Sequence, residues 1–192
     1  MQAAVPVGQG AMAAILGLDF DTATDVAAKA AEGEVCQIAN ANDPAQNVVS
    51  GHKAAVERAC TLAKEAGAKR ALMLPVSAPC HCTLMQPAAD KMAEALETVE
   101  IAAPRVPVVS NVLAEAVSDP ARIKELLIAQ VTGQVRWRTS VEWMAANGVD
   151  AFWEIGAGKA LSGMARRINR ELATVAVNGP DDVKKLAEAV TG

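Results

Sequence analysis

The order of hydrophobic periodicities in the first third of the chain limits its fold more than any other feature. GAMAAILG (10–17) is a run of small and aliphatic residues between glycines, the pattern of a buried strand. DTATDVAAKAAEG (21–33) follows with a capping Asp and apolar residues at helical spacing. EVCQIAN (34–40) and NVVSG (47–51) read as two strands joined by ANDPAQ, whose Asn, Asp and Pro favour a turn. HKAAVERACTLAKEAG (52–67) sets Ala55, Ala59, Leu62, Ala63 and Ala66 on one helical face, ends at a glycine and leads into the strand-like KRALMLPV (69–76). The order β-α-β-β-α-β predicts a split-βαβ, ferredoxin-like subdomain over residues 8–76. Such a unit says nothing of function by itself.

Beyond residue 76 the pattern changes. A helix (MQPAADKMAEALETV), a short strand (VPVVSNV), helices over 119–131 and 137–147, a strand (DAFWEIG), a helix (KALSGMARRINREL), a strand (ATVAV) and a last helix (PDDVKKLAEAV) give the alternation of a layered α/β domain over 77–192. With 192 residues and 52% hydrophobic content the chain can bury a substantial core. A net charge of −4 argues against a protein whose main work is holding a nucleic acid. The four cysteines have no paired spacing, which points to a reducing cytoplasm and away from a disulfide framework. The first residues lack the pattern of a signal peptide, and no stretch of 18 uninterrupted apolar residues exists to enter a membrane.

Three constellations invite a chemical reading. APCHC places His81 between Cys80 and Cys82, yet consecutive residues of an extended segment point to opposite sides and no C-x-x-C pair is present, so no metal site is expected. His81 is then either a satisfied core histidine or a catalytic one, its place between a strand and a helix being where rigid elements carry chemistry. EIGAGKALSG (154–163) has Gly-x-Gly between strand and helix, but Leu161 stands where a third glycine would complete the dinucleotide fingerprint. A tight turn is the better reading. No serine lies in a G-x-S-x-G elbow, since GHKAA (51–55) carries Lys53 at the nucleophile position. Arg136, Arg138, Arg166, Arg167 and Arg170 read first as a solvated basic face, with an anionic partner as the lesser alternative.

Taken together, MQAAVPVGQGAMAAILGL, NDPAQNVVSGHKAAVERA, AGAKRALMLPVSAPCHCTLMQPAADKM, VPVVSNV, VRWRTSVEWMAANGV and EIGAGKALSGMARRI closely resemble the malonyl-CoA:acyl carrier protein transacylase family of bacterial fatty-acid synthesis, in order and over nearly all of the chain. The resemblance is to the C-terminal portion, and implies a ferredoxin-like subdomain followed by the C-terminal part of an α/β-hydrolase-like acyltransferase domain. It also implies a Ser-His mechanism in which serine takes malonyl from malonyl-CoA and passes it to acyl carrier protein, with no bound cofactor. His81 matches the family's general base and would take the serine proton. By the same resemblance the main-chain carbonyl of Arg136 would orient His81, and Asn42 and Asn40 would lie near the coenzyme A cleft. The family's serine elbow, its malonate-binding arginine and its oxyanion P-G-Q-G segment have no counterpart here, VGQG (7–10) only mimicking the last. The chain alone is therefore expected to carry the histidine and to be inactive. The alternative is a non-catalytic module that binds acyl carrier protein or a separately made N-terminal piece.

Overall fold

The computed structural model describes the backbone of residues 1–191 and side chains through residue 188. The chain forms two compact units, Met1–Ser140 and Val141–Gly192.

The first unit is built on a four-stranded antiparallel sheet. β1 (Gly10–Leu16) and β3 (Gln46–His52) form its centre, β2 (Cys36–Asp43) and β4 (Arg70–Met73) its edges, in the order β2-β3-β1-β4. α1 (Phe20–Ala31) connects β1 to β2 and α2 (Lys53–Glu65) connects β3 to β4. The residues of alternate parity in β1, Ala11, Ala13 and Ile15, and Val49 of β3 form the core with both helices. The helices present mostly alanine there: Ala23, Ala27 and Ala30 from α1, Ala55, Ala59 and Ala63 from α2. With methyl groups lining the interface the helices lie close on the sheet, and the branched side chains Ile15, Val49 and Val56 fill the space between. Each contributes roughly 1.5–3 kcal/mol by burial.

Local chemistry sets the ends of these elements. The cap of α1 is Asp19, whose carboxylate accepts from Thr22 N at 2.8 Å, and Asp21, where the sequence pattern puts the cap, lies in the first turn. α1 ends at Glu32, in left-handed backbone at φ 46°, and Arg58 reaches over from α2 to donate to the last carbonyls, Ala30 O at 2.9 Å and Ala31 O at 3.2 Å. The same guanidinium binds Glu34 at 2.6 Å, so one side chain ties α1, α2 and the start of β2. The turn between β2 and β3 is only Pro44-Ala45, shorter than the sequence suggests, because Asp43 Oδ1 accepts from Ala45 N at 2.9 Å and closes it locally. β4 stops at Met73 and does not extend to residue 76, since Pro75 offers no N–H to the ladder. The expected face of α2 is also corrected: Ala66 is exposed and Val56 buried.

After β4 the chain passes through a single 3₁₀ turn (Thr83–Met85) into α3 (Gln86–Glu97). β5 (Val108–Ser110) pairs with β6 (Glu115–Val117), a strand that no periodicity announced in only three residues. α4 (Pro120–Thr132) is capped by Asp119, which accepts from Arg122 N at 3.1 Å. α5 (Trp137–Ala146) runs across the boundary of the units. In the second unit β7 (Ala151–Ile155) and β8 (Ala173–Val177) form a two-stranded parallel sheet, with α6 (Ala160–Ile168) as the crossover and α7 (Pro180–Thr191) following.

Gly51 shows how tightly the first unit is closed. A Cβ built there would lie 1.9 Å from Val35 O, backbone that cannot swing aside. Gly51→Ala is therefore expected to lower unfolding free energy by about 3 kcal/mol, at the upper end of ordinary overpacking. Urea denaturation followed by circular dichroism checks it, and a loss below 1 kcal/mol would contradict the packing described.

Candidate active site

His81 sits between β4 and the 3₁₀ turn, half-buried, with φ 61°. A non-glycine residue in left-handed backbone is uncommon and must be held by its surroundings. Those surroundings are rigid. Pro79 packs on Gly10 of β1 so closely that any Cβ at Gly10 would come within 2.4 Å of the proline ring. Cys82, fully buried, donates its Sγ–H to Pro79 O at 3.2 Å, and Thr83 N donates to Gln37 Oε1 at 2.9 Å, which fastens the loop to β2.

The imidazole is oriented by α4. Its Nδ1 lies 3.0 Å from Gln130 O. A carbonyl can only accept, so Nδ1 carries the hydrogen and the neutral ring keeps its basic lone pair on Nε2. The acceptor is available because the last carbonyls of a helix have no partner within it. Gln130 lies in the last turn of α4, and its own side chain turns back to donate to Gly133 O at 2.9 Å. His52, the other histidine, has the opposite role: its Nδ1 accepts from Val35 N at 2.9 Å, where it closes the corner between β2 and α2.

The sequence reading assigned the orienting carbonyl to Arg136, and the geometry corrects this. Arg136 O accepts from Ser140 N and Ser140 Oγ, both at 2.9 Å, because residue 136 opens the first turn of α5. Its guanidinium donates to Leu113 O at 3.1 Å. Gln130 was missed since the role belongs to its backbone, although the helix end at Thr132-Gly133 was a usable signal for a free carbonyl. Asn40 and Asn42 lie half-buried on β2, where Val135 bridges to Asn40 and Ala41 N donates to Val135 O at 2.9 Å. The structure thus brings the segment before Arg136 alongside Asn40, while His81 is tied to α4.

Cys80 and Cys82 flank the base without the character of nucleophiles. Burial pushes both thiols up, the direction opposite to an activated cysteine. Among the described residues no three His, Cys, Asp or Glu side chains are grouped to hold a metal ion. No helix of the described residues is long and apolar enough to cross a membrane.

The Gly-x-Gly turn of the second unit holds a carboxylate of the chain itself. Glu154 on β7 accepts from Leu161 N at 3.1 Å and Ser162 N at 2.8 Å, at the start of α6 where a nucleotide phosphate would have to sit. The hydrogen bond from Ser162 and that from Leu161 hold its carboxyl below the ordinary value of 4.5. The basic residues have internal partners as well: Arg166 binds Thr174 through Oγ1 and through its carbonyl, and Arg138 lies over the Phe20 ring at 5.7 Å.

No family model matches the chain. Single relatives do. The chain is 50% identical over 180 residues to the malonyl CoA-acyl carrier protein transacylase of Escherichia coli (strain K12), covering 94% of this chain and 58% of that protein. To the Bacillus subtilis (strain 168) protein of the same name it is 48% identical over 185 residues, covering 96% and 58%. Among solved structures it superposes on the acyl-carrier-protein S-malonyltransferase of Bartonella henselae with a TM-score of 0.95 at 49% identity, covering 100% of this chain and 61% of that one. It superposes equally, with a TM-score of 0.95 at 42% identity over 98% of this chain, on a malonyl-transacylase in complex with its type II PKS acyl-carrier protein. The fold is that of the acyl-carrier-protein acyltransferases, a mixed α/β class. Within it the chain belongs to the malonyl CoA-acyl carrier protein transacylase family and matches a C-terminal portion, spanning about three-fifths of the length of its relatives.

Glu154 gives a pH test of the second unit. A carboxylate whose value is lowered by folding stabilises above the unfolded value, and that contribution is lost as pH falls through the lowered folded value. Glu154→Gln is expected to destabilise at pH 7, with a difference that begins to shrink as pH falls below about 4, where the unfolded glutamate protonates, and that vanishes only below the lowered folded value. Thermal unfolding across pH reads it, and a difference that persists unchanged into acid would refute the cap.

Proposed function

We propose that this chain supplies the general base of a malonyl transfer between malonyl-CoA and acyl carrier protein, the observation that carries the reading being the fixed orientation of His81. Held through Nδ1 by Gln130 O, the ring has Nε2 available to take a proton. In the family's chemistry a serine hydroxyl attacks the malonyl thioester carbonyl. His81 Nε2 takes the hydroxyl proton as the C–O bond forms, then returns it to the coenzyme A sulfur as the C–S bond breaks. The reverse sequence delivers malonyl to the thiol of acyl carrier protein. The exchange is between ester and thioester, so it needs no bound cofactor and no change of redox state.

No serine in the present sequence lies in a G-x-S-x-G turn, so the nucleophile of this reading comes from polypeptide outside these 192 residues. Asn40 and Asn42, on β2 where the Val135 segment crosses, are proposed to line the coenzyme A side of the cleft. Arg136 is tied to the turn at Leu113 and not to His81. We read residues 8–76 as the ferredoxin-like subdomain, on the strand order β2-β3-β1-β4 with both helices on one face, and 77–192 as the C-terminal part of the hydrolase-like domain. The four free cysteines suit a reducing cytoplasm.

The test is fusion of the N-terminal portion of the Escherichia coli relative before Met1. The fusion is expected to transfer malonyl from malonyl-CoA to acyl carrier protein, and His81→Ala to lower the rate by about 10² to 10⁴, the usual contribution of a positioned base. Cys80→Ser and Cys82→Ser should cost little of the rate. The unfused chain should form no malonyl ester, since loss of the nucleophile costs about 10⁶ in such sites. A folded fusion equally active without His81 would remove the assignment.

A further inference from the structure

His81 and the carbonyl that orients it come from different parts of the chain, and β2 holds both. Thr83, two residues after His81, opens the 3₁₀ turn, where a backbone N–H has no partner within the turn itself. Gln37 on β2 provides the acceptor: its Oε1 takes the hydrogen of Thr83 N at 2.9 Å, across 46 residues of sequence. The other side of the pair is fixed to the same strand. Past Gln130 the chain runs through Gln134 to Val135, which bridges in parallel to Asn40. Val135 N donates to Ala39 O at 2.8 Å, and Val135 O accepts from Ala41 N at 2.9 Å. Residues 37–41 of one strand therefore attach both the loop that carries the imidazole and the segment that follows its acceptor. The two attachments differ in kind. Val135 is held by backbone groups, which no change of side chain removes, whereas the His81 loop is held through a side-chain oxygen. Gln37 is exposed, so its substitution leaves the core intact.

We propose that Gln37 is a positioning residue for the base: by accepting from Thr83 N it holds the His81 loop where Nδ1 meets Gln130 O, and so selects the tautomer with its basic lone pair on Nε2. The proposal rests on the reading of His81 given above. Only the oxygen of the Gln37 amide is used, which gives the role a chemical signature. Glutamate keeps an acceptor at the same reach. Methionine has a similar length and no strong acceptor, so it cannot replace the amide.

Nitrogen-15 correlation spectra of the two imidazoles in the 192-residue chain, in mildly alkaline solution where an imidazole is neutral, test this without any activity. In the parent, His81 is expected as the Nδ1–H tautomer and His52, whose Nδ1 accepts from Val35 N, as the Nε2–H tautomer. Gln37→Met is expected to move His81 to a mixture of tautomers and to leave His52 unchanged, the second result showing that the fold is intact. Gln37→Glu should keep the parent pattern. Thr83→Pro removes the same bond from the donor side. Cys82 precedes it at φ −140° and ψ 170°, backbone that a residue before proline adopts, and proline suits the first position of a helical turn. This variant should match Gln37→Met, and the double variant should be no worse than either, since each removes one bond. In the fusion described above, Gln37→Met should lower kcat by roughly fivefold with KM unchanged, the loss of one ordinary hydrogen bond, and Gln37→Glu should retain the rate. A His81 pattern indifferent to Gln37→Met, or a Gln37→Glu chain that behaves as the methionine variant does, would overturn the role of Gln37 and leave the reading of His81 standing. A parent chain whose His81 carries its hydrogen on Nε2 would overturn both. Spectra that change as expected, beside a fusion fully active without His81, would keep the positioning of the ring and remove the base.

Discussion

The hydrogen bond from His81 Nδ1 to Gln130 O joins two segments 49 residues apart, and the chemistry of the site depends on it. Without it an imidazole on a surface loop samples rotamers and tautomers. With it the ring has one hydrogen position and one basic nitrogen. The bond in turn depends on both supports being stiff. On one side Pro79 against Gly10 and Cys82 on Pro79 O hold the left-handed backbone of His81. On the other, Asp119 starts α4 and the Gln130 side chain closes its end on Gly133. The acceptor belongs to the main chain of a helix terminus, so it needs no buried charge beside the base.

The fold was legible where burial is continuous in the strands and periodic in the helices. β1 is a run of small and aliphatic residues buried nearly throughout, the helices α1 and α2 carry alanines at helical spacing, and these patterns survive in sequence as the β-α-β-β-α-β order. What stayed hidden has local causes. The cap of α1 fell on Asp19 because two aspartates lie two residues apart and only geometry chooses between them. β6 has three residues, too few for any period. The site was legible to a lesser degree. His81 is singled out by its place between a strand and a helix and its role by motif resemblance, its immediate neighbours Cys80 and Cys82 suggesting metal chemistry that their alternation opposes. Gln130 could not be read from its side chain, since a carbonyl role is indifferent to it, and the resemblance consequently settled on Arg136, six residues too late.

Charges that look functional in the sequence are largely used to hold the structure. Glu154 fills the anion position at the start of α6, which turns an apparent nucleotide turn into a helix cap. Arg166 holds α6 to β8, and Arg136 anchors the segment before α5. Arg58 does for α1 what these do later in the chain. Each arginine donates to a backbone carbonyl: Arg58 at the end of α1, Arg136 in the turn at Leu113 and Arg166 at Thr174 of β8. A count of basic residues therefore overstates what is available to an anionic ligand.

The two units differ in how completely they bury their sheets. The support of His81 comes from β1, β2, the loop after β4 and α4, all within Met1–Ser140. The exposed apolar face of Trp153, Ile155 and Val175 belongs to β7 and β8, beyond that boundary. Orientation of the imidazole is thus fixed by interactions internal to the first unit. A base set in advance and a sheet left half-covered are independent properties of one chain, since neither the Gln130 carbonyl nor the Pro79 packing involves a residue of the exposed face.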